Sequence, residues 1–320
     1  MIDPKSIRLN FPIFYHHPEL VYLDNAATAQ KPDTVIQSIT EFYQKENATI
    51  HRGVYDLAVQ TTQKYEQVRH KIAKFIGSNF SQSIVYTSGT TAGINLVAQS
   101  FLSDRLQPGD EVIISIMEHH ANLIPWQQVC KTKQAKLRVI PIHETGELDI
   151  SAYKNILNNR TKMVAVVHVS NTLGTVNPVE DIIELAHDSK IPVLVDAAQS
   201  IVHYPIDVLA LDADFLVFSG HKMFGPTGIG VLYGKPELLE SMQPIWFGGD
   251  MIRSVSFEDT IFAPVPQRFE AGTSNIAGVV GLGTAIDFLK QFDKNGIQAY
   301  LHELTETATE ALLKINGLKI

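Results

Sequence analysis

Cysteine is almost absent: the 320 residues contain one, Cys130. A lone cysteine excludes an intramolecular disulfide framework and suits a reducing cytoplasm, which is the expected location. No apolar run approaches the ~20 residues that a membrane-crossing helix needs. The opening stretch Met1–Arg8 lacks the apolar core of a signal peptide. Basic runs are missing too. With 26 Lys and Arg against 34 Asp and Glu the net charge is −8, which speaks against a nucleic-acid partner. There is no internal repeat and no low-complexity segment. What remains is an ordinary globular mixture, 45% apolar and 19% charged, long enough for a large domain with a small one.

Strand-like runs at 83–87, 111–116, 137–141, 162–168, 192–196, 214–218 and 229–233 are interleaved with helical patterns near 59–75, 91–103, 120–132, 150–158 and 179–188. The runs are apolar throughout rather than alternating, as strands buried on both faces are. The expected fold class is therefore α/β, a mostly parallel central sheet with helices on both faces. Such sheets bind ligands beyond the carboxyl ends of their strands. Region 244–275, rich in Gly and Pro, reads as an extended excursion, and helices resume near 276–291 and 295–314. The Asn316-Gly317 turn followed by Leu318-Lys319-Ile320 reads as a strand only begun, so a truncated domain is expected. The expected organisation is an N-terminal segment 1–20, a large domain 21–275 and an incomplete small C-terminal domain 276–320.

Lys222 stands out. It follows the apolar run Phe215–Phe218 and precedes a glycine-rich turn, with Ser219 and His221 beside it. An amine at the end of a buried strand sheds its proton and attacks carbonyls, the requirement for a Schiff base with an aldehyde cofactor such as pyridoxal 5′-phosphate. Upstream, the apolar run Val193–Val195 ends on Asp196. A buried acid needs a cation, and the protonated pyridine nitrogen of that cofactor is one. Gln199 is within reach of the cofactor's phenolic oxygen.

The segment Thr87-Ser88-Gly89-Thr90-Thr91 joins a strand to a helix. Its glycine, the free amides of a helix start and the hydroxyls of Thr90 and Thr91 suit a phosphate, although a plain threonine cap reads equally well. Ser219 and His221 would complete the cradle. His119 is placed to stack on a cofactor ring. Glu118-His119-His120 lacks the i, i+4 spacing of helical metal ligands, so no metal is expected. His168 and Asn171 are open between site and structural roles, while a hydrogen-bonded structural role is expected for His203. Cys130, on an amphipathic stretch, reads as a small buried hydrophobe.

These residues carry a resemblance. Leu23–Pro32, His51-Arg52-Gly53, Ser88–Asn95, Met117–Asn122, Val169-Ser170-Asn171, Val195–Gln199, Ser219–Lys222 and Arg268–Thr273 occur in the order found in the class V aminotransferase group. Within it the chain resembles the SUF-type (group II) cysteine desulfurases and selenocysteine lyases. The resemblance implies fold-type I of the pyridoxal phosphate enzymes and a homodimer. It implies that Lys222 holds the cofactor and then acts as general base, with His119 on the ring, Asp196 on the ring nitrogen and Gln199 on the phenolic oxygen. Thr90, Thr91, Ser219 and His221 would hold the phosphate. The threonine matching Thr273 reaches the partner subunit's phosphate, and Asn171 matches a residue near the substrate carboxylate.

The implied reaction converts L-cysteine, or L-selenocysteine in the lyases, to L-alanine. Sulfur passes through an enzyme persulfide to an acceptor protein of iron–sulfur cluster assembly. In that family the persulfide cysteine and the arginine that grips the carboxylate lie beyond position 320, and Cys130 does not match the nucleophile. Ser88 and Ala92 stand where relatives often carry charge. The alternatives are a selenocysteine lyase and a non-catalytic pyridoxal-phosphate-binding form. The run His119–Asn122 speaks against other class V activities such as aminotransfer or kynurenine hydrolysis.

Overall fold

The structure, a computed structural model, describes residues 3–318. One sheet is built from β1 (Ile84–Thr87), β2 (Glu111–Ser115), β3 (Lys136–Ile140), β4 (Thr161–Val167), β5 (Val193–Asp196), β6 (Phe215–Ser219) and β7 (Gly230–Gly234), in the order β1-β7-β6-β5-β4-β2-β3. Strands β2 to β6 pair in parallel, and β7 runs antiparallel between β6 and β1. The expected mostly parallel sheet is present.

The longer helices are α1 (Asp33–Glu41), α2 (Asp56–Phe75), α3 (Thr90–Leu96), α4 (Ile124–Lys133), α5 (Ile150–Ile156), α6 (Val179–His187), α7 (Ile276–Leu289) and α8 (Lys294–Leu313). Successive strand residues point to opposite faces, and here each face has its own core. On β4, Val164 and Val166 enter one core while Met163 and Ala165 enter the other; on β6, Leu216 and Phe218 part from Phe215 and Val217 in the same way. Helices α2, α6 and α7 cover the first core, and α3 and α4 the second. This two-sided burial explains why the strand sequences are continuously apolar. Phe215 and Phe218, both 0% exposed, each contribute about 1.5–3 kcal/mol. The outer strand β3 is guarded by Lys136 and Arg138 on its exposed side.

Residue 275 is the N-cap of α7, its Oδ1 accepting the Gly278 amide at 2.9 Å, and α7 packs its apolar residues on α1 and α2 inside the first core. No described side chain of α8 is buried. Within 244–275, read from sequence as extended, a hairpin forms from β8 (Ile252–Val255) and β9 (Thr260–Phe262). Its side chains are exposed or half-buried, so no buried face imprints a pattern on the sequence. Of the strand read at Leu318–Ile320, Lys319 and Ile320 lie outside the described residues. Among the described residues no helix is long and apolar enough to cross a membrane.

A buried charge cluster fixes the loop before α7. Arg69 of α2, 1% exposed, grips Glu270 with both guanidinium arms (2.7 and 2.9 Å) and donates to the Ile84 carbonyl at 2.8 Å. Glu270 also accepts the Tyr86 amide at 2.8 Å, so α2, β1 and this loop are tied through one carboxylate.

Gly230 opens β7 where two backbones nearly touch. A Cβ there would lie 2.5 Å from the Gly89 Cα and 2.7 Å from the Phe218 carbonyl oxygen. Neither backbone atom has room to yield. Gly230→Ala is expected to lower stability by about 1–3 kcal/mol; an unchanged urea midpoint would contradict this contact.

Candidate active site

The carboxyl ends of the parallel strands and the turn after β1 converge on a cavity of about 480 Å³. Strand β6 delivers Ser219 and then, on a short 3₁₀ turn, His221 and Lys222; β5 ends on Asp196; the loop after β2 brings His119; the loop after β4 brings Asn171. Thr90 and Thr91 begin α3 directly after Gly89. Gln199 and the N-terminal residues Asp24, Ala26 and Ala27 complete the wall. The sequence-read residues Lys222, His119, Thr90, Thr91, Asp196, Gln199, Ser219, His221 and Asn171 all line this one cavity. Thr273 does not. It lines a neighbouring cavity of about 330 Å³ with Tyr65, Ser88, Ala92 and Glu270.

Electrostatics set the proton positions. Burial lowers the pKa of Lys222, and Asp196 opposes the shift. Burial raises that of Asp196 to about 6, against the Ala198 amide hydrogen bond (2.9 Å) and the charge of Lys222. Each group thus moves toward neutrality, and each holds the other partly charged. The His119 Nδ1 accepts the Ala121 amide at 3.0 Å. Burial, Lys222 and His120 lower its pKa, so its imidazole is uncharged at neutral pH. The Thr90 amide donates to Ser219 Oγ at 2.8 Å, and the Thr90 and Ser219 hydroxyls meet at 2.9 Å, joining the two strand ends. Gln199 Nε2 donates to the Ala26 carbonyl (2.8 Å). Asn171 Oδ1 is buried without a hydrogen-bond partner.

The turn that carries Lys222 is clamped from far away in sequence. The His221 carbonyl accepts the Ala29 amide at 3.0 Å, Lys31 Nζ at 3.0 Å and Thr28 Oγ1 at 3.4 Å. Burial lowers the Lys31 pKa to about 8. Sequence reasoning gave Lys31 no role, because an isolated lysine beside a proline carries no periodic signal. It also considered Glu118 only as a metal ligand. Its carboxyl instead turns inward to the Val167 amide (2.9 Å) and Asn122 Nδ2 (2.6 Å), while His119 belongs to the cavity.

His203 departs from expectation: its Nδ1 is buried without a partner, while its backbone carbonyl accepts Gln298 Nε2 at 3.3 Å. The residue lines a cavity with the apolar side chains of Val202, Phe224, Leu289 and Phe292. Cys130, on α4, is buried in the second core, and burial pushes its thiol up to about 11. It is a packing residue, as expected.

The profile of the class-V aminotransferase family matches residues 21–320. A cysteine desulfurase of Synechococcus elongatus is 47% identical over 99% of this chain and 51% of its own length, so the chain spans about half of that relative. A probable cysteine desulfurase of Vibrio cholerae is 46% identical over 100% of this chain and 80% of its own. Among solved structures, a cysteine desulfurase of Escherichia coli superposes with a TM-score of 0.92 at 41% identity, covering 99% of this chain and 79% of that one.

Proposed function

The chain belongs to the class-V aminotransferase family, and on that premise we propose that it binds pyridoxal 5′-phosphate and acts as a cysteine desulfurase, taking L-cysteine to L-alanine. The observation that carries the reading is the gathering of Lys222, Asp196 and His119 on one cavity at the carboxyl edge of the sheet.

The lining suits the cofactor chemically. An amine of lowered pKa suits its aldehyde, a buried carboxylate its ring nitrogen, and an uncharged imidazole its ring face. The joined hydroxyls of Thr90 and Ser219, with Thr91 and His221, suit its phosphate. Gln199 would meet the phenolic oxygen. When bound, the cofactor supplies a carbonyl for amines and a ring that accepts an electron pair.

Lys222 Nζ would hold the cofactor and would serve as general base for the α-proton of the substrate. Its burial keeps the amine ready to take that proton, and Asp196 limits how far the pKa falls. The Asn171 amide, with its unpartnered Oδ1, orients the substrate amino acid. L-selenocysteine presents the same amine and carboxylate to these groups.

Sulfur leaves to a thiol: L-cysteine and a thiol give L-alanine and a persulfide, which an acceptor protein of iron–sulfur assembly would receive. Cys130, buried and held as a thiol, is not that thiol. A homodimer fits the place of Thr273 outside the cavity, beside exposed Trp246. A single buried thiol fits work in a reducing cytoplasm.

Adding pyridoxal phosphate to the purified chain is expected to give a yellow visible band, and L-cysteine is expected to change it. With no added thiol to receive the sulfur, sulfide should stay at the level of a cofactor-only control, because Cys130 is buried. If no band forms, the proposal fails. Robust sulfide release would return a sulfur-transfer role to Cys130 or to another route.

A further inference from the structure

Glu118 follows β2 and precedes His119, and the chemistry above gives it nothing to do. The residue as a whole is partly covered. Its carboxyl group, however, is turned toward Ser115, Asn122 and Val167, which are 1%, 0% and 2% exposed. Oε1 meets the Ser115 hydroxyl and accepts the Val167 amide at 2.9 Å, and Oε2 accepts Asn122 Nδ2 at 2.6 Å. Asn122 in turn accepts the Trp126 indole N–H at 2.8 Å. One carboxyl group therefore joins the ends of β2 and β4 to the start of α4, with His119 on the next residue.

Those partners are all uncharged. The charged group that bears on Glu118 is Asp196, from β5, and it has the same sign. On its own loop, His119 is an uncharged imidazole whose Nδ1 accepts an amide. An ionised Glu118 would be an unpaired charge in a closed setting, next to a second acid. As an acid it is satisfied, because the Ser115 hydroxyl accepts a proton as well as it donates one. Burial accordingly raises the Glu118 pKa to about 8, against its hydrogen bonds to Ser115, Asn122 and Val167.

We propose that Glu118 is a positioning residue that works as an uncharged acid, locking the His119 loop onto β4 and leaving Asp196 as the negative charge of that edge. The inference rests on the reading of the cavity as a pyridoxal phosphate site. It gives Asp196 sole charge of the ring nitrogen and gives His119 a fixed plane.

Two measurements test it on the full chain. In the folded chain Glu118 keeps its proton well above the pKa of ~4.3 that it has when exposed. Folding therefore holds a proton that unfolding releases, and stability falls as pH rises from about 5 to about 8, then levels. Glu118→Gln keeps the shape and removes the titration. Without cofactor, the melting temperature of E118Q relative to the parent should climb between pH 5 and 8 and flatten above. A constant difference would mean that Glu118 is ionised throughout, and would overturn the proposal.

The second measurement is pyridoxal phosphate affinity at pH 7, read from visible absorbance. E118Q should bind within about threefold of the parent. Glu118→Ala, which leaves buried donors unmet, should bind about tenfold more weakly or worse. E118Q as weak as E118A would show that the charge is needed and would also overturn the proposal. A parent that binds no cofactor would sink the reading of the cavity, while the melting comparison would still judge Glu118.

Discussion

Replacing Lys222 by alanine is expected to abolish the visible band of bound pyridoxal phosphate and to cut α-hydrogen exchange of L-cysteine by about 10²–10⁴-fold. Two functions are lost at one atom. In the proposed function the Nζ would be both the covalent anchor of the cofactor and the base that takes the α-proton. Its pKa is lowered by burial and held up by Asp196, so it sheds its proton more readily than an exposed lysine does. Neither the Lys31 nor the His221 side chain can replace it, since Lys31 Nζ is committed to the His221 carbonyl and His221 Nδ1 to Thr28 Oγ1. Exchange of the α-hydrogen with deuterium oxide, followed by NMR, isolates the base step and needs no sulfur acceptor. Fold stability should survive: the costly buried amine is gone, and Asp196, left without that counter-charge, shifts further toward its protonated form. A variant that keeps the band, or exchanges as fast as the parent, would refute the assignment.

Arg69→Ala should lower stability by about 3–5 kcal/mol out of a total of about 5–15 kcal/mol for a domain. The guanidinium satisfies Glu270, Glu66 and the Ile84 carbonyl together, and it stacks 4.3 Å from the Tyr86 ring centre. Without it, a carboxylate only 5% exposed stays buried with no cation. Pairing Arg69→Met with Glu270→Leu should recover much of the loss, because the remaining charge disappears with its partner. Urea denaturation of the two single variants and the double variant measures the coupling. A loss below about 1 kcal/mol for Arg69→Ala would mean that water reaches the pair.

The sheet was legible because its strands are apolar on both sides, and Asp196 and Ser219 fall where the apolar runs stop. The antiparallel course of β7 was not legible, since two-sided burial leaves the same composition in either direction. The helix Asp33–Glu41 also went unread; it is only nine residues long and buries only Val35 fully. Site residues at strand ends could be read because a polar group there breaks an apolar pattern. Lys31 and the Arg69–Glu270 pair could not, because their meaning lies in partners 190 and 201 positions away. Thr273 sits in a loop whose neighbours within this chain do not include the main cavity.

The clamp on the His221 carbonyl has a temporal side. Thr28, Ala29 and Lys31 leave the ribosome early and find their acceptor only when a peptide bond 190 or more positions later has been made. Long closures of this kind come late in folding. The turn that carries the amine at position 222 is therefore fastened only once residues 28–31 and residue 221 have met.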